Sequence, residues 1–143
     1  MDGAGRVWVN EHGPQGGDEI NRVARAANYG WPLTSYGENY GGGRFAPDTL
    51  PGTEPPAHQW TPSIAPSGYA IYQGSLFPEF SGLHLIGSLK FDYIAAMDPQ
   101  NWQETAWRWP ETGRVRDIQE APDGSIWFLS VLNGAAYRIT PEG

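Results

Sequence analysis

Short runs of alternating apolar and polar residues recur along the chain, and most are bounded by Gly, Pro or Asp. This pattern is typical of half-buried antiparallel strands joined by turns, and no long stretch has the apolar spacing of a helix. Three pairs of runs predict hairpins: 7–9 with 20–23, 83–89 with 93–97, and 125–130 with 135–139. Further strands are predicted at 67–73, 104–109 and 115–121.

The first and third hairpins resemble each other. Each has a turn containing Gly, a strand with Trp between apolar residues, and a return strand in which Arg precedes an apolar residue. Such self-similarity, with short strands in successive units, predicts an all-β chain built of β-propeller blades. The hairpins amount to about two and a half blades, so open blade edges are expected to pair with other polypeptide.

We predict one partial propeller domain over residues 1–143, interrupted by a long excursion at 28–61. The excursion is rich in Gly, Pro, Tyr and Trp and has few β-branched residues. Loops of this length are usually functional or disordered, and the many aromatic residues favour order.

Composition narrows the possible functions. The chain has 143 residues with 19 Gly, 13 Pro, 7 Trp and 7 Tyr, which fits an all-β domain. A net charge of −7 argues against nucleic acid or an anionic membrane as partner. Because cysteine is absent, neither disulfides nor thiol chemistry is available. No secretory signal and no segment apolar enough to span a membrane is visible.

The loop at 11–21 carries the first candidate chemistry. It contains Gly13, Pro14 and two further glycines, and then the adjacent acids Asp18 and Glu19. Gly and Pro in this density predict a fixed loop with exposed main-chain oxygens, which together with carboxylates suit a hard cation such as calcium. On the loop alone, the favoured interpretation is an ordinary hairpin loop with a solvated acidic tip.

Three cations form the second candidate group. Lys90, the single lysine, ends a predicted strand, and Arg114 and Arg116 stand two apart at the start of another. Alternation predicts that both arginines point to one face, where with Lys90 they would clamp a polycarboxylate or a phosphate. Alternatively, the arginines pair with Asp117 and Glu111 on a solvated edge, which would contribute little stability.

Five motifs span nearly the whole chain in order. They are Glu11–Pro14 with Gly17–Asn21, then Asn28–Pro32, Pro62–Gly68, Leu85–Lys90, and Gly113–Asp117 with Pro122–Gly124. In this order they resemble the soluble PQQ-dependent glucose, aldose and sorbosone dehydrogenases. The resemblance implies the C-terminal half of a six-bladed propeller, in a periplasmic or extracellular sugar dehydrogenase that carries PQQ and Ca²⁺.

The resemblance also implies roles for individual residues. The main-chain oxygens of Gly13 and Pro14 would bind the calcium ion that touches the quinone, and Glu19 and the Tyr29 carbonyl would bind a second calcium ion. Lys90, Arg114 and Arg116 would hold the carboxylates of PQQ. The residues expected at the mouth of the substrate pocket are His58, Trp60 and Thr61.

The implied reaction is oxidation of an aldose at the anomeric carbon to a lactone, by hydride transfer to the quinone, with an external electron acceptor as a further partner. No catalytic residue is assigned, because the histidine base of the family lies in a motif upstream of this chain. His12 lies outside that motif, and His84 is expected to be structural. The isolated chain is therefore expected to be inactive or very weak.

Two other functions stay open. The chain could be a non-catalytic propeller fragment that binds a sugar or a partner, with the missing N-terminal half or self-association covering its open edges. A calcium-dependent lactonase is less favoured, because such propellers surround their metal with side-chain carboxylates and amides.

Overall fold

The structure is a computed structural model, which describes residues 1–141. Within this range it has ten β-strands and two short 3-10 helices, at Pro78–Phe80 and Pro110–Thr112, and no α-helix. The strands are β1 (Val7–Glu11), β2 (Asp18–Val23), β3 (His58–Trp60), β4 (Pro66–Ile71), β5 (His84–Ser88), β6 (Tyr93–Met97), β7 (Glu104–Trp107), β8 (Val115–Glu120), β9 (Ile126–Ser130) and β10 (Ala135–Ile139).

The chain separates into two compact units. The first unit is Gly5–Pro66, and the second joins Met1–Ala4 to the chain from Ser67 onward. Residues 142 and 143 of the predicted domain lie outside the described residues. The assignment of 1–143 to a single propeller domain stays a prediction.

The first unit contains a three-stranded antiparallel sheet in the order β1-β2-β3. The hairpin of β1 and β2 is the one predicted, and it places Glu11 opposite Glu19. The third strand, β3, lies at the end of the 28–61 excursion and was not predicted. Main-chain hydrogen bonds fix the excursion, among them Ser35 N to Pro47 O at 2.9 Å and Glu54 N to Asn28 O at 2.8 Å.

The second unit contains two antiparallel sheets, one in the order β4-β5-β6-β7 and the other in the order β10-β9-β8. Its buried core draws on strands of both sheets and on the segment between β4 and β5; the core residues are Tyr72, Phe77, Leu85, Ile94, Ala96, Val115, Ile118, Ile126 and Phe128. Strands β6 and β10 coincide with their predicted residues, and the other predicted strands of this unit lie within three residues of the observed bounds. No helix in residues 1–141 is long and apolar enough to cross a membrane.

Candidate functional site

The loop between β1 and β2 is shaped by a buried carboxylate. Asp18 is only 1% exposed, and its Oδ1 accepts hydrogen bonds from Gly13 N at 2.8 Å and Ser63 Oγ at 2.7 Å. Its Oδ2 accepts from Ala65 N at 2.8 Å. The expectation of a solvated acidic tip is therefore wrong for Asp18, because the loop folds back over this side chain.

The other end of the loop is fixed as firmly. Gly16 N donates to Ser63 Oγ at 3.2 Å, and Gly17 N donates to the main-chain oxygen of Trp60 at 2.7 Å. A Cβ atom added to Gly13 would lie 2.0 Å from the main-chain oxygen of Gly16, so no larger residue fits without movement of the loop. Glycine is required at Gly13 by close approach rather than by an unusual φ angle.

The first unit has a cavity of about 440 Å³ beside this loop, and it gathers all four predicted metal ligands, which are Gly13, Pro14, Glu19 and Tyr29. The remaining wall consists of Glu11, His12 and Gly17 with residues of the excursion, namely Trp31, Thr34, Ser35 and Tyr40. Trp31 and Tyr40 are 63% and 82% exposed. Large exposed aromatic rings at the rim of a cavity mark it as a place for a ligand.

Two carboxylates meet at one wall of the cavity. The buried amide Nδ2 of Asn21 donates to Glu11 Oε1 at 2.6 Å and to Glu19 Oε2 at 3.0 Å. Burial raises the pKa of Glu19, the Asn21 hydrogen bond opposes that rise, and the nearby charge of Glu11 adds to it. Within residues 1–141, Asn21 Oδ1 is a buried atom with no hydrogen-bond partner. This wall concentrates negative charge that a cation would neutralise.

These donors fit a hard cation by their chemistry. Within residues 1–141, no group of three or more His, Cys, Asp or Glu side chains is placed to hold a metal ion. A metal here would therefore rely on main-chain oxygens with one or two carboxylates, a donor set typical of calcium and unlike that of zinc. Gly13, Pro14 and Glu19, whose main-chain oxygens and carboxylate are of this kind, all line the cavity.

The predicted substrate-pocket residues lie beside the loop rather than in the wall of this cavity. Thr61 Oγ1 accepts from Gly17 N at 3.2 Å, and the main-chain oxygen of Trp60 accepts from the same amide. The rings of His58 and Trp60 meet edge to face, with centroids 4.6 Å apart. In the structure, Trp60 and Thr61 support the loop, and the pocket role of all three residues stays a prediction.

In the second unit, two of the three predicted cations lie at one turn. The guanidinium of Arg114 donates to the main-chain oxygen of Leu89 at 3.1 Å, next to Lys90 in the chain. Lys90 is exposed, with its ammonium 5.2 Å from the ring centroid of Phe91. The arrangement thus brings Arg114 against the β5–β6 turn that carries Lys90.

The alternation argument for the arginines does not apply. Arg114 precedes β8 and has φ of 51°, and a β-bulge falls between Val115 and Asp117, where Arg116 lies. Within residues 1–141 neither arginine pairs with Asp117 or Glu111, so the alternative of a paired solvated edge is not what the structure shows. Arg114 and Arg116 are both exposed residues.

Two of the three histidines, His12 and His84, take structural positions. His12 Nε2 donates to the main-chain oxygen of Pro66 at 2.6 Å. His84 is buried in β5, and its Nδ1 lies 2.5 Å from the hydroxyl of Tyr69. Burial, with a smaller effect of Asp2, raises the pKa of Tyr69. The structural role expected of His84 agrees with this burial.

The sequence pointed to Asp18 only as one of two adjacent acids in the loop, and it indicated no individual role for Ser63 or Asn21. Asp18 stands next to Glu19 in an apparently polar loop, and its partners at 63 and 65 are more than forty residues away in the chain. The signal that could have pointed to Asn21 is its position in β2 two residues after Glu19, which places both side chains on one face.

A family model and a curated relative each match most of the chain. Residues 1–138 match the family model described as Glucose / Sorbosone dehydrogenase. The chain is 35% identical over 148 residues to the aldose sugar dehydrogenase YliI of Escherichia coli (strain K12), covering 95% of this chain and 38% of that protein.

Two solved structures are similar to the chain. A crystal structure of a glucose dehydrogenase matches with a TM-score of 0.85 and 32% identity, over 98% of this chain and 42% of that one. The PQQ-bound form of an aldose sugar dehydrogenase from Streptomyces coelicolor matches with a TM-score of 0.66 and 25% identity, over 91% of this chain and 35% of that one.

These matches confirm the predicted fold class, all-β blades that make up only part of a propeller. The chain spans between 32% and 38% of the length of the curated relatives that it matches. The predicted resemblance is confirmed by the family model and by the relatives together. The chain belongs to the glucose / sorbosone dehydrogenase family.

Proposed function

We propose that this chain forms the C-terminal part of a PQQ- and calcium-dependent dehydrogenase, which oxidises aldose sugars at the anomeric carbon to lactones. Family membership supports the sugar dehydrogenase activity, and the PQQ-bound relative from Streptomyces coelicolor supports the cofactor. The observation that carries the proposal is the cavity of about 440 Å³ in which Gly13, Pro14, Glu19 and Tyr29 meet.

Calcium would be held by the first unit. The main-chain oxygens of Gly13 and Pro14 would bind one ion, and Glu19 with the Tyr29 carbonyl would bind a second. A divalent ion beside Glu19 would also offset the repulsion between the carboxylates of Glu11 and Glu19, which now share the amide of Asn21.

PQQ would be held by the second unit. The cofactor carries several carboxylates, and Lys90, Arg114 and Arg116 offer exposed cations in an acidic chain. The hydrogen bond from Arg114 to the oxygen of Leu89 limits the motion of its guanidinium, so the group needs little further ordering when an anion binds. When bound with calcium, PQQ supplies an electrophilic quinone that accepts the hydride from the sugar.

This chain binds and orients but does not remove the proton of the sugar hydroxyl. His12 donates Nε2–H to the Pro66 oxygen, His84 is buried against Tyr69, and the ring of His58 packs edge to face on Trp60. We therefore assign the general base to polypeptide outside this chain, with an external electron acceptor completing the turnover. A periplasmic or extracellular location belongs to the same proposal.

Dye reduction by the purified chain tests the proposal. With PQQ, Ca²⁺ and glucose supplied, we expect PQQ to bind and dye reduction to stay near background, while a full-length family member reduces the dye. Activity comparable to that of the full-length enzyme would contradict the placement of the base outside the chain. If PQQ fails to bind in the presence of calcium, the result favours the alternative, a non-catalytic propeller fragment that binds a sugar or a partner.

A further inference from the structure

One carboxylate and one hydroxyl hold the two ends of the turn at Gly13–Gly16. Asp18 Oδ1 accepts from Gly13 N at 2.8 Å, and Ser63 Oγ accepts from Gly16 N at 3.2 Å. The two side chains are themselves joined, because Ser63 Oγ donates to Asp18 Oδ1 at 2.7 Å. The shape of the turn, and with it the direction of the main-chain oxygens of Gly13 and Pro14, depends on this pair.

Among the side chains that the structure describes, none offsets the charge of Asp18. All three of its hydrogen bonds come from neutral donors, at Gly13 N, Ser63 Oγ and Ala65 N. Within residues 1–141, no lysine, arginine or histidine pairs with it. Burying a carboxylate without a cationic partner costs free energy, so the uncompensated charge favours a cation nearby.

We propose that Asp18 and Ser63 are positioning residues for the proposed calcium site. Neither is a metal ligand. Asp18 and Ser63 fix the turn that presents the oxygens of Gly13 and Pro14, and the buried charge of Asp18 strengthens binding of a divalent cation from outside the ligand set. This inference rests on the proposed function, because it assigns the ion to those oxygens.

A positioning role and a purely structural role predict different calcium affinities for variants of Asp18 and Ser63. Asp18 also bonds Ala65 N, so its loss will lower the stability of the first unit in either case. A residue that serves only the fold would leave calcium affinity unchanged in molecules that remain folded. Loss of a positioning residue lowers the calcium affinity even in molecules that remain folded.

Calcium titration by calorimetry on the 143-residue chain is the first test. We expect Asp18→Asn to weaken calcium binding by about 10- to 100-fold, and Ser63→Ala by about tenfold. Asp48→Asn is the matched control, because it removes the same charge from an exposed aspartate that pairs with Arg44 in the same unit. Unchanged calcium affinity in folded Asp18→Asn and Ser63→Ala variants would overturn the inference.

Amide hydrogen exchange without metal is the second test, and it separates this inference from the proposed function. Ser63→Ala should accelerate exchange at Gly16 N, while Glu54 N, which donates to Asn28 O at 2.8 Å in the same unit, serves as the reference amide. Unchanged exchange at Gly16 in Ser63→Ala would overturn the positioning role. If the unmodified chain binds no calcium, the proposed function fails, while exchange at Gly16 still decides whether Ser63 shapes the turn.

If Asp18→Asn does not fold, the calcium titration and the amide exchange are both decided by Ser63→Ala.

Discussion

Glu11 and Glu19 lie directly opposite each other in the antiparallel pair of β1 and β2, and both carboxylates accept from the amide of Asn21. Like charges at opposed positions destabilise a sheet. A cation bound in the adjoining cavity would offset this repulsion. The pair therefore links the stability of the first unit to its proposed ligand.

The first prediction concerns pH. Burial raises the pKa of Glu19 above 4.5 in the folded chain, so the folded state holds this proton more tightly than the unfolded state. The metal-free chain should therefore gain stability as pH falls through the raised pKa, until the ordinary pKa is reached. Glu19→Gln should remove this gain and stabilise the metal-free chain at pH 7 by about 0.5 kcal/mol.

Thermal unfolding in EDTA between pH 4.5 and 7.5 measures this effect, with the exposed Glu79→Gln as control. A pH dependence that is the same in the unmodified chain and in Glu19→Gln would show that Glu19 does not carry it.

The second prediction concerns the turn. In Gly13→Ala the new Cβ would lie 2.0 Å from the main-chain oxygen of Gly16, so the loop must move. We expect a loss of about 1–3 kcal/mol of stability together with weaker calcium binding. Gly3→Ala is the control, because its Cβ would meet only the Gln73 side chain, at 3.4 Å. Equal calcium affinity in both variants would contradict the role of this turn.

The third prediction concerns the core of the second unit. The buried hydroxyl of Tyr72 donates to Gly124 O at 2.8 Å and accepts from Phe77 N at 3.0 Å. Tyr72→Phe leaves both main-chain groups without that partner, which should cost about 1–3 kcal/mol of unfolding free energy. Tyr137→Phe, whose ring stacks on Phe128, should change stability much less in the same urea titration.

The fourth prediction concerns assembly. Strand β10 pairs with β9 along one side, and among the described strands none pairs with its other side. Open edges bind further strands, so we expect the isolated chain to self-associate unless the rest of the enzyme covers them. Solution scattering should give a mass above the 15.7 kDa of one chain. A monodisperse monomer would count against this expectation.

The strands were predictable because their alternation is local. The first and last residues of strands β6 and β10 were predicted correctly, because turns on both sides leave little choice of where these strands begin and end. Strand β3 was missed because a three-residue strand inside a Gly- and Pro-rich excursion has no detectable period. Its pairing with β2 is a tertiary contact that no local pattern encodes.

The sequence indicated which residue types could bind a metal or an anion, but not how the backbone places them. The gathering of Gly13, Pro14, Glu19 and Tyr29 at one cavity agrees with the expected metal ligands, although metal binding itself stays a prediction. The positions of Arg114 and Arg116 were argued from alternation, which the left-handed φ of Arg114 and the bulge at Arg116 interrupt. Such backbone irregularities depend on hydrogen bonds from distant residues, such as that from Arg114 N to Asp92 Oδ1 at 2.7 Å.

The most direct test of the account is a calorimetric titration of PQQ into the calcium-loaded chain, repeated with Lys90→Met and with Arg138→Ala. Arg138 is the control, because it is an exposed arginine of the same unit that pairs with Asp123 at 2.6 Å. We predict saturable binding that weakens about 10- to 100-fold in Lys90→Met and stays unchanged in Arg138→Ala, since a charge-assisted hydrogen bond contributes about 1.5–3 kcal/mol. Absence of PQQ binding with calcium present, or equal affinity in all three proteins, would contradict the account.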